Sequence, residues 1–310
     1  MRYEVFIIDK KQKVALVTGA TGFIGKHLCK RLMLDGWDVH AIVRPSSDIS
    51  ILERFMAVPG YIHYHCYDGK SDAIVNCISE VRPTVVFHLA SLFLSQHSFK
   101  DIYPLIESNI IFSSHLVEAM VQNEIYNLVN IGTSWQHYHN EDYNPVCLYA
   151  ATKQAFENIL KFYQETSPLK VITLKLFDTY GPDDDRPKLF NLLQHIAMNN
   201  TVLDMSPGEQ LLDIVYIDDV EDSLLLAAKR LCADACKKNE VFAVSSGKHY
   251  SLKEVVEIFE EVTKLKLKIN WGGRTYRDRE VMTPWEKGMP LPGWSPKITL
   301  YDGIAKLVKN

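Results

Sequence analysis

The chain lacks any apolar run approaching the ~18 residues of a membrane-spanning helix, so no transmembrane segment is expected. It also lacks a dominant charge: 34 Lys and Arg stand against 38 Asp and Glu in 310 residues, a net charge of -4. That balance gives no support to partnership with nucleic acid or a membrane surface, and any anionic ligand must be held by local groups. Cysteines Cys29, Cys66, Cys77, Cys147, Cys232 and Cys236 form no CxxC pair and lie among apolar neighbours, which reads as reduced core residues. Cys232 and Cys236 have helical i, i+4 spacing, but no His or Cys flanks them; His137 and His139 form an H-x-H without a third ligand and read as solvated. No metal site is expected. In the opening MRYEVFIIDKKQ, Asp9 and Lys10 interrupt the apolar residues too early for an export signal, so the expected compartment is the cytoplasm. Repeats and low-complexity segments are absent.

What is present is an ordinary globular composition, 47% hydrophobic and 23% charged. From Lys13 onward, short β-branched runs alternate with longer amphipathic stretches. Strands are predicted at Val14 to Thr18, Asp38 to Val43, Tyr61 to Cys66, Thr84 to Leu89, Tyr126 to Gly132 and Val171 to Leu176. Helices are predicted near Phe23 to Leu34, Asp72 to Val81, Ile102 to Gln122 and Tyr149 to Thr166. The expected fold is α/β: a Rossmann-type doubly wound parallel sheet with a smaller C-terminal α/β substrate lobe. Residues 1–182 are assigned to the dinucleotide-binding domain and 183–310 mainly to the substrate lobe. The halves interleave, with Leu211–Asp219 and Val241–Val244 expected to return to the large domain. Later elements are predicted as a helix at Leu189 to Met198, a strand at Leu212 to Ile217, helices at Asp218 to Leu231 and Leu252 to Thr263, and a Trp/Pro/Gly-rich tail.

Directly after the first strand stands Gly19-Ala20-Thr21-Gly22-Phe23-Ile24-Gly25. Gly19 allows the tight turn, Gly22 lets the backbone approach a diphosphate, and Gly25 lets the helix lie close to the sheet. The exposed N–H groups of the helix start then attract phosphate. After the second strand, Arg44 with Ser46 and Ser47 suits the 2′-phosphate of NADP(H), whereas an acidic residue there would suit NAD, which stays open as the alternative. Asp68, after the third strand, is a candidate contact to the adenine edge.

Tyr149 and Lys153 stand one helical turn apart, so a phenol and an ammonium share a face. A nearby cation is expected to bring the phenol's high pKa down and make it a general acid/base. Thr133 and Ser134 end the fifth strand, where Ser134 can hold a carbonyl oxygen near that phenol. With the glycine loop, these residues resemble the extended short-chain dehydrogenase/reductase family, the nucleotide-sugar epimerases, dehydratases and reductases, from about Val14 onward. The resemblance implies a catalytic Ser134, Tyr149 and Lys153, with Lys153 also holding a cofactor ribose. It places Leu89, Ala90 and Ser91 of the FHLAS segment, and Phe177 of LKLFDTYGP, beside the cofactor. It implies substrate contacts from Thr133, Ser134, Trp135, Asp178, Lys188, Tyr216 and Arg277, the arginine of R-x-x-E gripping the diphosphate with Arg279 as substitute. The family's sixth-strand Arg and Asn are here Lys175 and Asp178, and Leu212 stands where an arginine normally precedes the aspartate; Lys188 is a candidate for the missing charge.

Family dehydratases carry an acidic pair immediately after the strand-five hydroxyl, positions held here by Trp135 and Gln136, which cannot exchange protons in that way. The segments GTSWQHYHNEDYNP, LFDTYGPDDDRPKLF and REVMTPW are most similar to the CDP-paratose and CDP-abequose synthase group of 4-ketoreductases in O-antigen lipopolysaccharide biosynthesis. That similarity implies NADPH-dependent reduction of the C4 ketone of a nucleotide-linked 4-keto-6-deoxy or 3,6-dideoxy hexose, CDP-linked by preference. It also implies a homodimer through the helices at Ile102 to Gln122 and Tyr149 to Thr166. The alternatives are a 4-epimerase with tightly bound NAD and a non-catalytic NADP-binding protein.

Overall fold

The computed structural model describes residues 13–55 and 61–309, so the opening MRYEVFIIDKKQ lies outside the described residues. In chain order the strands are β1 (Val14–Thr18), β2 (Asp38–Val43), β3 (Ile62–Cys66), β4 (Val85–His88), β5 (Asn127–Thr133), β6 (Lys170–Leu176), β7 (Asp178–Tyr180), β8 (Val202–Met205), β9 (Leu211–Tyr216), β10 (Asn239–Val244), β11 (His249–Ser251) and β12 (Lys268–Trp271). The helices are α1 (Phe23–Leu34), α2 (Ser50–Phe55), α3 (Ser71–Val81), α4 (Ile102–Ile106), α5 (Phe112–Gln122), α6 (Leu148–Thr166), α7 (Leu189–Asn199), α8 (Ile217–Cys232), α9 (Leu252–Thr263) and α10 (Leu300–Lys309). A single π turn, Glu107–Ile111, joins α4 to α5.

Seven strands form one sheet in the order β10-β6-β5-β4-β1-β2-β3, every neighbouring pair parallel. Strands buried on both faces explain the unbroken apolar runs, because successive side chains point to opposite sides. In β1, Ala15 and Val17 pack with Leu28 and Leu32 of α1 and Leu224 and Ala228 of α8. Leu16, between them, faces the other way, toward Ile74 and Ile78 of α3, Leu116 of α5 and Phe156 of α6. Each such leucine or valine removed from water contributes about 1.5–3 kcal/mol. The strand order reverses between β1 and β4, which opens a crevice at their carboxyl ends.

A smaller lobe packs around Phe190, Leu193, Val255, Phe259, Leu300 and Ile304. Its strands form a three-stranded sheet, β11-β9-β7, and a two-stranded one, β12-β8. α9 starts with a reciprocal cap: Ser251 Oγ accepts from Glu254 N–H at 3.2 Å, and the Glu254 carboxylate accepts from Ser251 N–H at 2.6 Å. Val241–Val244 lies in β10 and pairs with β6 at the edge of the large sheet. Leu211–Asp219 departs from expectation: β9 pairs with β7 and β11 and does not enter the large sheet. The physical reason is that β10 has already filled the position beside β6, so only α8, which follows β9 directly, reaches back under the large sheet.

The tail is fastened by one carboxylate. Asp219, buried at the start of α8, accepts from Lys297 N–H at 2.9 Å and Ile298 N–H at 3.0 Å, while Trp294 Nε1 donates to its carbonyl at 2.9 Å. Ala243 N–H also donates to Met289 O at 2.8 Å. The stretch that carries Arg277 and Trp285 is held by Leu211 N–H donating to Met282 O at 2.9 Å and Glu286 N–H donating to Asn140 Oδ1 at 2.7 Å. Among the described residues no helix is long and apolar enough to cross a membrane.

Candidate active site

The crevice begins at the glycine loop. Gly19 has φ +72°, and a Cβ there would stand 2.7 Å from Ala90 N, so this turn admits only glycine. Gly22 N–H donates to Gly19 O at 3.0 Å and closes the turn. No side chain caps α1 at Gly22, which leaves the helix's first N–H groups free to meet an anion. The neighbouring strand end is locked to this loop: Thr18 Oγ1 accepts from Ala90 N–H at 3.1 Å and lies 2.8 Å from His88 Nδ1. His88 Nε2 in turn lies 2.8 Å from Ser113 Oγ. Burial pushes His88 down to about 3, with Lys153 adding to the effect, so it is a neutral relay between fixed hydroxyls.

Two connected cavities extend from the loop. The larger, about 580 Å³, is lined by Gly19, Thr21, Gly22, Arg44, Ser46, Ser47, Asp68, Leu89, Ala90 and Ser91. Arg44 is exposed, and its N–H donates to Ser47 Oγ at 3.1 Å in a turn closed by Ser47 N–H to Arg44 O at 2.9 Å. Asp68 accepts from Lys70 N–H at 3.1 Å, the largest influence holding its carboxyl below the usual range. The second cavity, about 270 Å³, shares Gly19, Gly22, Leu89 and Ser91 with the first and continues to Phe23, Ile24, Gly25, Thr133, Ser134, Tyr149, Lys153, Phe177 and Lys188. The glycine loop and cavity walls fit a dinucleotide, with the uncapped helix start for diphosphate and a basic, hydroxyl-bearing turn at one end.

Tyr149 and Lys153 lie on the first turns of α6, both buried and both facing the second cavity. Burial is the largest influence on Tyr149 and lifts its phenol above the ordinary value, reinforced by Cys147 and opposed by a hydrogen bond with Ser91. The expectation that Lys153 brings the phenol down is thus overridden by burial. The Lys153 ammonium is itself pushed down to about 8 by burial, against the attraction of Glu157 and with the repulsion of Lys175. Ser134 opens a short 3₁₀ turn whose start is capped by Thr133: Thr133 Oγ1 accepts from Trp135 N–H at 3.3 Å and Gln136 Oε1 accepts from Thr133 N–H at 3.0 Å. The Thr133 hydroxyl therefore shapes the turn that presents Ser134 to the cavity.

Sequence reasoning missed the supporting role of three side chains. Asn109, in the π turn, accepts from Leu92 N–H at 2.8 Å and Ser91 Oγ at 3.1 Å, and donates to Leu92 O at 3.0 Å and Thr152 Oγ1 at 2.9 Å. It ties the loop after β4 to α6, the helix that carries Tyr149. Lys175, fully buried on β6, donates to both oxygens of Glu157 at 2.8 and 2.9 Å, and Gln136 Nε2 donates to Glu157 at 3.0 Å. Lys175 is therefore internal, and Gln136 is an anchor beneath the 3₁₀ turn. The available signal for Lys175 was a charged residue in the largely apolar VITLKL, whereas Asn109 stands among polar neighbours in ESNII and gave none.

A third, narrower recess of about 50 Å³ shares Ser134, Trp135, Phe177 and Asp178 with the second cavity and adds His137, Tyr138, Leu212, Arg277 and Trp285. The Arg277 fork donates to Glu280 at 3.0 and 2.6 Å and lies 5.3 Å from the Trp135 ring. Arg279 donates to Asn144 and sits over Tyr138 at 4.4 Å. Lys188 lies 4.4 Å over Phe93, whose edge meets Tyr149 with ring centres 5.0 Å apart. His137 is not solvated as expected: it stacks on Trp285 at 3.9 Å, and its buried Nε2 has no partner among the described residues. Tyr216 departs from its expected place in the substrate site. It is buried in the small-lobe core with Tyr180 and lines neither recess, because β9 turns this side chain away from the crevice and into that core.

The sequence model described as the NAD dependent epimerase/dehydratase family matches residues 15–245. The chain belongs to that family. It is 27% identical over 305 residues to a CDP-abequose synthase of Salmonella muenchen, covering 97% of this chain and 99% of that one. It is 24% identical to a UDP-glucuronate 4-epimerase of Thermodesulfobacterium geofontis, covering 94% of each. Among solved structures, MoeE5 in complex with UDP-glucuronic acid and NAD superposes with a TM-score of 0.80 at 26% identity, covering 95% of this chain and 97% of that one. The UDP-glucose 4-epimerase of Thermotoga maritima, at TM-score 0.82 and 23% identity over 96% and 97% of the two chains, shares the fold.

Proposed function

We propose that this family member reduces the C4 ketone of a nucleotide-linked 4-keto-6-deoxy or 3,6-dideoxy hexose, CDP-linked by preference, using NADPH, in bacterial surface-polysaccharide biosynthesis. The observation that carries the reading is a buried Tyr149 lining the same cavity as Ser134, with Trp135 and a fully anchored Gln136 in the positions that follow Ser134. That arrangement offers one proton donor and one oxygen-positioning hydroxyl, and no acidic pair for dehydration. End-to-end similarity to CDP-abequose synthases supports the sugar class.

The residues present fit the dinucleotide. The start of α1 would hold its diphosphate, Arg44 with Ser46 and Ser47 its 2′-phosphate, Asp68 its adenine edge and Lys153 a ribose, with Leu89, Ala90, Ser91 and Phe177 flanking it. When bound, the cofactor supplies a hydride. Ser134 orients the ketone oxygen, and Tyr149 donates its hydroxyl proton to that oxygen as negative charge develops there. A phenol held above its ordinary value by burial is in the donor form at neutral pH. Trp135 and Phe93 exclude water, and Asp178, Lys188 and Arg277 line the sugar-nucleotide end. We further propose a homodimer through α4, the π turn, α5 and α6, whose exposed faces carry Tyr103, Ile111 and Phe162.

Two measurements test this reading. Given a CDP-4-keto-6-deoxyhexose, the protein oxidises one NADPH per sugar reduced, and label from nicotinamide C4 appears at sugar C4. Repeated inversion of a sugar without net NADPH consumption would instead establish the NAD-dependent 4-epimerase, a reading supported by the similarity to a UDP-glucuronate 4-epimerase and by the NAD held in the MoeE5 complexes; binding without turnover on any keto-sugar would establish a non-catalytic NADP-binding protein. Arg44→Ala should weaken NADPH by about 2–3 kcal/mol and leave NADH nearly untouched, because only the phosphorylated ribose meets the guanidinium. Equal losses for both cofactors would remove Arg44 from that role.

A further inference from the structure

At the amino-terminal end of the large sheet, opposite the crevice, β2 reads Asp38-Val39-His40 and β3 reads His63-Tyr64-His65. The parallel register sets His40 beside His63, and alternation puts Asp38, His40, His63 and His65 on one face of the two outermost strands. One ligand atom from each of Asp38, His40 and His63 lies within 4.8 Å of the others, the one such group of three among the described residues. We propose that these three side chains bind a single divalent transition-metal ion of the zinc class, with His65 as the outer partner that orients His40.

The spacing brings the three groups within reach of one ion, with the Asp38 carboxylate addressing each imidazole through a different oxygen. Tetrahedral bonds of about 2.0–2.2 Å to nitrogen and oxygen put neighbouring ligand atoms about 3.4 Å apart. Asp38 Oδ1 stands 3.3 Å from His63 Nε2, and Asp38 Oδ2 stands 3.6 Å from His40 Nε2. The other nitrogen of His40, Nδ1, lies 2.9 Å from His65 Nε2. A metal on His40 Nε2 fixes the proton on Nδ1, which then donates to His65, the outer bond that metal-ligating imidazoles usually make. Imidazole with one carboxylate suits zinc, nickel or copper better than magnesium or calcium. His63 is 47% exposed and gives an ion an open approach from solvent. Such an ion would cross-link the edge strand β3 to β2, away from the catalytic groups.

The test uses the full chain, stripped with a chelator and titrated with Zn²⁺ alone, with Co²⁺ as a spectroscopic probe. The expected result is one equivalent of Zn²⁺ bound, a raised melting temperature, a Co²⁺ visible band of four-coordinate intensity, and no displacement by excess Mg²⁺. His63→Ala and Asp38→Asn should each weaken uptake at least about tenfold, and His65→Ala by about 10- to 100-fold through the outer bond alone. Because His63 is on the surface, its variant should melt like the metal-free parent and retain catalytic turnover, which separates loss of the ion from loss of the fold. No uptake, uptake unchanged in all three variants, or equal displacement by Mg²⁺ would overturn the proposal.

Discussion

Tyr149→Phe lowers turnover on a keto-sugar by about 100-fold or more and leaves dinucleotide affinity within about twofold of the parent. The substitution removes one hydroxyl and keeps the ring, whose edge packing against Phe93 at 5.0 Å and burial in the first turn of α6 remain. The lost group is the proposed proton donor for the ketone oxygen, so the loss should fall on kcat, where the developing charge is met. The bond with Ser91 disappears too, but Ser91 keeps its bond to Asn109 at 3.1 Å, and the loop after β4 stays in place. Stopped-flow turnover and fluorescence titration of the dinucleotide read the two quantities separately. An unchanged rate would place the donor on another side chain of the cavity.

The second large effect belongs to a methyl group. A Cβ on Gly25 would stand 2.0 Å from Gly19 O and 2.8 Å from Ala20 Cα. Both are backbone atoms of the phosphate turn, and Gly19 O is already bonded to Gly22 N–H. Relief requires moving α1 away from its own turn, so Gly25→Ala should cost about 3 kcal/mol or more of stability and take dinucleotide binding with it. Gly36→Ala is the control. Gly36 has φ +76° but nothing within 4 Å of the added Cβ, so it incurs only backbone strain of about 1–2 kcal/mol. Urea unfolding of the two variants makes the comparison, and equal midpoints would refute the close-packing account of Gly25.

The elements that sequence reasoning located well are those whose pattern is local. β1, α1, β2 and α9 match their predicted bounds, because a doubly buried run, a glycine turn or a Ser-x-x-Glu cap marks each within a few residues. Strands β7, β8, β11 and β12 were not legible. They are three or four residues long, largely exposed or half-buried, and their partners lie elsewhere in the chain, as when Lys268 meets Val202. Tyr216 was misplaced for a related reason: a motif gives the order of residues, whereas the direction of a side chain follows from which sheet its strand joins. The Asp38, His40 and His63 group was invisible for the same cause, since two unremarkable dyads become neighbours only through the register of β2 with β3.

The π turn at Glu107–Ile111 gives the junction of α4 and α5, which Asn109 ties to the catalytic helix, a dependence on phase. Each residue of an α-helix advances the ring of side chains by about 100°. Deleting one residue from this turn would restore a regular ladder and swing everything before it through that angle. Leu105 would leave its buried seat and the chain before it would leave the β4 loop, even if every side chain named in the cavity were retained. Natural length variation in this stretch is therefore expected to come in whole turns, and a one-residue deletion there should silence the protein as thoroughly as removing Tyr149.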